Sequence, residues 1–249
     1  RPPLDWLASL IGEGVKNGII STDQALMQMA APESVRGRLA LADRLTMLSE
    51  VYGPDTMVMR PLLRNHLQDG CVVRDFCGQL GIAIDPRRIE RRNDSLPLNA
   101  IRAMHLHNVA RGRPLRGPRD LFQRAALIAR LEQLFRGESA LRLANGVLGA
   151  AEPFVHHQLH LLDQRFGLQL PLAASNGSAT GEPPLVSVDR LRELPQQARR
   201  TLAAASGLPA DTAVETLMAQ LERGWHGRQL LEQSRRVLRR RWHHLRRGV

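Results

Sequence analysis

Asp55-Thr56-Met57-Val58-Met59-Arg60-Pro61 is the stretch on which the fold class turns. Thr56 to Met59 is a short apolar run held between Gly53-Pro54 and Pro61. It is too short for a helix and fits a buried strand. On its upstream side, Pro32 breaks the chain and Ser34 is placed to cap a helix running to Tyr52 and Gly53. On its downstream side, residues 69–80 read as a helix closed by Gly81. Helix, strand, helix is the rhythm of an α/β unit, so the expected class is α/β, mostly helical, with few parallel strands and Met57 to Met59 as a central one.

Further out, helical signals dominate. Leu4, Leu7, Ile11 and Val15 recur at helical spacing behind Pro2 and Pro3, and Gly18 marks the end. Residues 21–30 read as a short helix capped by Ser21 or Thr22. Residues 83–97 are a polar loop, 98–109 a helix, and Arg111 to Pro118 a basic hinge. Residues 121–135 and 152–166 are amphipathic helices, the second closed by Gly167. Residues 171–184 (PLAASNGSATGEPP) form a low-complexity linker. Residues 188–205 and 209–244 beyond it are helical in pattern. The expected organisation is a domain over 1–170, a linker over 171–184 and a helical basic appendage over 185–249.

Composition sets outer bounds. The chain has 249 residues, 43% of them hydrophobic but only 4% aromatic, so its core is built mainly from Leu, Ala, Val and Met. No apolar run approaches the ~18 residues of a membrane span, and no secretory signal stands out. The formal charge is +11, with Lys16 as the single lysine. Such a balance fits a polyanionic partner, and it also follows from a general preference for arginine. Cys71 and Cys77 form no metal-binding pair and read as small reduced side chains of a cytoplasmic protein.

The opening residues Arg1-Pro2-Pro3-Leu4-Asp5-Trp6-Leu7-Ala8-Ser9 carry a candidate site. An arginine can fork two donors onto a phosphate, and a helix start favours an anion. Asp5 and Ser9 are four apart, on one helix face. This spacing resembles the R-x-P-x-D-x-x-x-S stretch of sulfotransferases. Residues 56–82 (TMVMRPLLRNHLQDGCVVRDFCGQLGI) resemble a bacterial sulfotransferase pattern through Arg60, Pro61, Leu62, Arg64, Leu67, Gly70, Asp75, Phe76, Leu80, Gly81 and Ile82. Asn93, Ser95 and Leu96, and residues 154–170, resemble later segments of that group. The likeness covers about residues 1–170.

The resemblance implies a partial P-loop-type sulfotransferase fold with a helical C-terminal appendage. It also implies that Arg1 and Ser9 hold the 3′-phosphate of the sulfate donor PAPS, at a strand-to-helix junction. PAPS and its product PAP would be partners, with a hydroxyl-bearing acceptor such as a saccharide. No residue of this chain matches the loop that holds the 5′-phosphosulfate, and no catalytic base is identified. The expectation is that these parts precede Arg1 in a longer polypeptide and that residues 1–249 alone are inactive. Arg60 and Arg64 are candidates for the donor or acceptor edge, and no metal is expected.

Two further features stand outside that likeness. His156, His157 and His160 fall at metal-ligand spacing, with only Asp163 nearby, and read better as surface residues. Residues 235–247 alternate arginines with Leu238, Trp242 and Leu245 as a basic amphipathic stretch. They motivate the alternative of a non-catalytic helical module that binds nucleic acid or an anionic membrane surface.

Overall fold

The computed structural model describes residues 2–89, 95–112, 117–173 and 185–223. Its helices are α1 (Pro3–Lys16), α2 (Asp23–Ala30), α3 (Pro32–Leu39), α4 (Leu41–Tyr52), α5 (Val72–Gln79), α6 (Leu98–Arg111), α7 (Gly117–Leu134), α8 (Glu152–Phe166), α9 (Gln196–Ser206) and α10 (Val214–Arg223). Short 3-10 turns join several of them, and none of the described helices is long and apolar enough to cross a membrane.

The α/β expectation is corrected. Among the described residues there is no strand and no sheet, so the parallel strands of a P-loop-type sulfotransferase fold are missing. Only isolated bridges occur, Leu143 with Val186 (parallel) and Pro97 with Ala140 (antiparallel). The expected central strand instead begins with a 3-10 turn, Pro54–Thr56, after which Met57 (φ −107°, ψ 122°) and Leu63 (φ −115°, ψ 131°) have extended backbone with no strand between them. Among the described residues no second segment pairs with this stretch. Pro61 also removes a ladder donor from its middle.

The chain divides into two units. The first holds Arg1–Gly12, Gln24–Ser95 and Leu141–Arg190; the second holds Glu13–Asp23, Leu96–Ala140 and Leu191–Val249. In the first, α3 and α4 pack on α8, and the Asn145–Ala151 turn packs on α3 and α8. The single long helix expected here is two helices, because Ala40 leaves the helical region (φ −70°, ψ 59°). Ser34 is not the cap: Ala31 holds that place with Pro32 at the first helical position, and Ser34 Oγ accepts from Arg38 Nε at 3.1 Å.

The break at Ala40 is held by one residue of α8. Gln158, buried, accepts the N–H of Ala42 at 2.9 Å and of Asp43 at 3.3 Å, and returns Nε2 to Asp43 Oδ2 at 3.0 Å. It thus supplies the capping acceptor that Ala40 lacks. Ala42, Leu162 and Leu168 form the buried centre, with Leu45, Met59, Leu159 and Phe166 against it. Met59, expected in a sheet, fills this helical core instead. Burying a leucine such as Leu162 contributes about 1.5–3 kcal/mol.

In the second unit α10 packs on α6, α7 and α9. Leu217, Met218, Leu131, Ile101, Met104 and Leu202 are fully buried there. α6 has little amphipathic character because Ala100, Ile101, Ala103, Met104, His105, His107 and Asn108 are all buried. α6, α7 and α8 match the sequence reading within a few residues, and α6 and α8 end on Gly112 and Gly167 in the left-handed region. Most of the proposed linker, and the basic stretch 235–247, lie outside the described residues.

Candidate functional site

Arg1 lies outside the described residues, so its position relative to Ser9 is not described. The helix predicted to follow it begins at Pro3, with Asp5 in the first turn and Ser9 half-buried in the second. Pro3 has no N–H, and the N–H of Leu4 donates to Leu172 O at 3.1 Å. The N–H of Trp6 donates to Pro2 O at 3.0 Å, so three of the four first-turn positions offer nothing to an anion. The strand expected to lead into α1 lies outside the described residues, which reach back only to Pro2.

The second set of matched residues is brought together. Arg60 Nε donates to Asp75 Oδ2 at 2.8 Å and its Nη2 to Asp75 Oδ1 at 3.0 Å, a two-point guanidinium–carboxylate pair. Nη2 also donates to His66 O at 2.8 Å, and Gln68 N–H donates to Asp75 Oδ1 at 3.0 Å. Asp75 is buried on α5. The pair ties the extended segment, the Arg64–His66 turn and α5 into one clamp. Gly70 (φ 65°) and Gly81 (φ 67°) sit where the backbone turns left-handed at either end of α5. Arg60 thus spends its fork on Asp75 and does not face a phosphate, while Arg64 is exposed on its turn.

A third polar cluster, in the second unit, was not read from sequence as a site. Arg124, 4% exposed, donates Nε to Lys16 O at 2.7 Å, Nη1 to Asn108 Oδ1 at 2.5 Å and Nη2 to Val15 O. Asn108 Nδ2 donates to Val15 O and to Ile20 O, each at 2.9 Å. Val15 O and Lys16 O belong to the open C-terminal end of α1, where a cation also meets the negative end of the helix dipole. Burial and Arg111 lower Arg124 to about 10, so it stays charged at neutral pH. Arg111 pairs with Asp120 at 2.7 Å.

His107 lies in the same cluster. Burial, then Arg124, then Arg111 push it down to about 4, and its Nε2 has no hydrogen-bond partner, with Glu222 3.7 Å away. His105, fully buried, meets Asp23 at 2.8 Å. The cluster is a cap for α1 built from α6 and α7, and it lacks a nucleophile. The signal that could have found it is the polar pair His107-Asn108 in a helix that also carries Leu98, Ala100, Ile101, Ala103 and Met104.

The remaining sequence candidates do not assemble. His157 and His160 are exposed, and His156 faces Glu152 at 3.6 Å. Among the described residues no group of His, Cys, Asp and Glu is placed to hold a metal. Cys71 and Cys77 are both free. Comparison with family models, with curated proteins and with solved structures found no match to this chain.

Proposed function

We propose that this chain serves sulfuryl transfer from PAPS to a hydroxyl acceptor, such as a saccharide, in the cytoplasm. Arg1 and Ser9 bind the 3′-phosphate of the donor, and residues 1–249 alone do not turn over. The reading rests on the opening motif and not on a parallel sheet. The observation that supports it is the helix that starts at Pro3 with Ser9 half-buried, the local setting the motif calls for. Ser9 brings a hydroxyl and Arg1 a planar fork of donors, and charge-assisted contacts of this type carry most of the affinity for a phosphate. Arg60 takes no part in binding, because Asp75 occupies it.

Titration calorimetry with PAP tests the reading. Arg1→Ala is expected to weaken binding by about 1.5–3 kcal/mol, the scale of a lost charge-assisted contact, and Ser9→Ala by roughly 1 kcal/mol. Unchanged affinity in both variants, or no PAP binding by the parent chain at all, refutes it. A parallel assay with PAPS and a panel of hydroxyl acceptors is expected to show no product from residues 1–249. Turnover there means that the catalytic groups lie within the chain and the assignment of roles is wrong.

A further inference from the structure

In the second unit the end of α1 is closed by a cation whose hydrogen-bond acceptors are all neutral. Arg124 donates to Lys16 O, Val15 O and Asn108 Oδ1. His107, one residue before Asn108, lies in the same cluster. It is 7% exposed, its Nε2 makes no hydrogen bond, and Glu222 Oε2 of α10 stands 3.7 Å away. Charged groups face the ring from each packed element. On α6 itself Arg111 follows four residues on, paired with Asp120 of α7 at 2.7 Å. Arg124 faces it from α7 and Glu222 from α10. On α1, Lys16 turns its ammonium to Glu13 at 3.2 Å.

A neutral ring fits between two guanidiniums, but a charged one sets three buried cations against two carboxylates. Asp120 is committed to Arg111. Glu222 is left to serve both His107 and Arg124. Arg124 is therefore the cation that yields, because neutral acceptors alone hold it. What it holds is local. The N–H groups of Asn17, Gly18 and Ile20 close this turn on Glu13 O, Val15 O and Gly14 O at 2.8, 3.1 and 3.0 Å. We propose that His107 is a proton-operated latch: a proton on its ring dislodges Arg124 from the end of α1 and opens residues 15–20, while α6 and α10 stay packed.

The direction of the response follows from the same contacts. In the closed turn, burial, Arg124 and Arg111 hold the ring down to about 4, and an opened ring returns to its ordinary 6.5. The opened form thus binds the proton more tightly. Opening rises as pH falls through 6.5 and levels off below 4. Between pH 7 and pH 5 these two values raise the opening constant by about twentyfold. The release is confined to one turn, so it precedes any loss of the unit as a whole.

Hydrogen exchange of residues 1–249 at pH 7 and pH 5, corrected for the intrinsic rate at each pH, tests the proposal. Protection at Asn17, Gly18 and Ile20 is expected to fall about twentyfold at the lower pH, while Leu217 and Met218 on α10 keep theirs. His107→Gln, neutral at both pH values, is expected to lose the response. His105, which meets Asp23 at 2.8 Å, is intact in that variant and serves as the internal control. If His107→Gln loses helicity at pH 7, His107→Met gives the same reading, and the parent's own contrast between residues 17–20 and α10 still decides. Equal protection of residues 17–20 at both pH values overturns the proposal. So does a parallel loss on α10, which marks unfolding of the whole unit, or a response that survives in a folded His107→Gln or His107→Met.

Discussion

Arg124→Met is the substitution that weighs most on the second unit. The guanidinium closes the C-terminal end of α1 with bonds to Lys16 O, Val15 O and Asn108 Oδ1, and it is 4% exposed. Methionine fills most of the same volume, so the loss is polar. Val15 O keeps the N–H of Gly18 and Nδ2 of Asn108, but Lys16 O and Asn108 Oδ1 lose the donor that satisfies them. Each buried orphan costs about 1–3 kcal/mol. The favourable charge–dipole contact adds up to about 2 kcal/mol, and removing a desolvated charge offsets part of the total. The net expectation is a loss of about 3–4 kcal/mol, a large share of the ~5–15 kcal/mol typical of a domain. Urea unfolding followed by far-ultraviolet CD measures it, and hydrogen exchange of residues 13–23 localises it. A loss below about 1 kcal/mol with unchanged exchange there would refute the capping role. Asn108→Ala and the double variant complete the cycle, and the two residues are expected to couple by about 1 kcal/mol or more.

Two further outcomes follow from single side chains. His107 is held at about 4 by burial and by Arg124 and Arg111, below its ordinary 6.5. Because the folded value is depressed, the unfolded chain takes up the proton first. Stability is therefore full above pH 6.5 and falls by about 3 kcal/mol as pH drops to 4. His107→Gln is expected to lose that part of the acid limb, and a urea midpoint that tracks the parent between pH 6.5 and 4 would count against it. Asp75→Ala removes three acceptor contacts to Arg60 and Gln68. Arg60 is partly exposed, so solvent screening holds the expected loss to about 2 kcal/mol. Protease cleavage within 57–71 should rise in Asp75→Ala while α8 keeps its exchange protection.

The helices that were legible from sequence are those whose ends carry their own punctuation. α1 starts on Pro2-Pro3 and is followed by Gly18, and α8 ends on Gly167 in the left-handed region. The break between α3 and α4 was not legible, because Ala40 is a good helix former and the acceptor that stabilises the break belongs to Gln158, more than a hundred residues on. The strand at Met57 to Met59 failed for a related reason. Met57 has extended backbone, but a strand exists only through a partner, and composition within seven residues says nothing of one. Met59 found a helical core in place of a sheet. Likewise, nothing in the spacing of His107 and Asn108 along α6 points to a shared partner. Their common task becomes visible only when α1 and α7 arrive beside them.

The Arg60–Asp75 pair separates two properties that the matched pattern joins. Arg60 reads from sequence as a candidate for the donor or acceptor edge, yet it and Asp75 satisfy each other, and Gln68 N–H and His66 O complete the set. A guanidinium with two of its nitrogens already committed gains little by turning to a phosphate, since it would strand a buried carboxylate. The residues that recur in this stretch are therefore explained by folding: Arg60 and Asp75 as a clamp, Gly70 and Gly81 as left-handed turns. In the proposed function phosphate recognition would then fall to the opening motif alone, where the N–H of Leu4 is already bonded to Leu172 O. It follows that Arg60→Ala should change PAP affinity only as far as it unfolds the segment around α5, whereas Arg1→Ala and Ser9→Ala should change affinity in a chain whose stability is untouched.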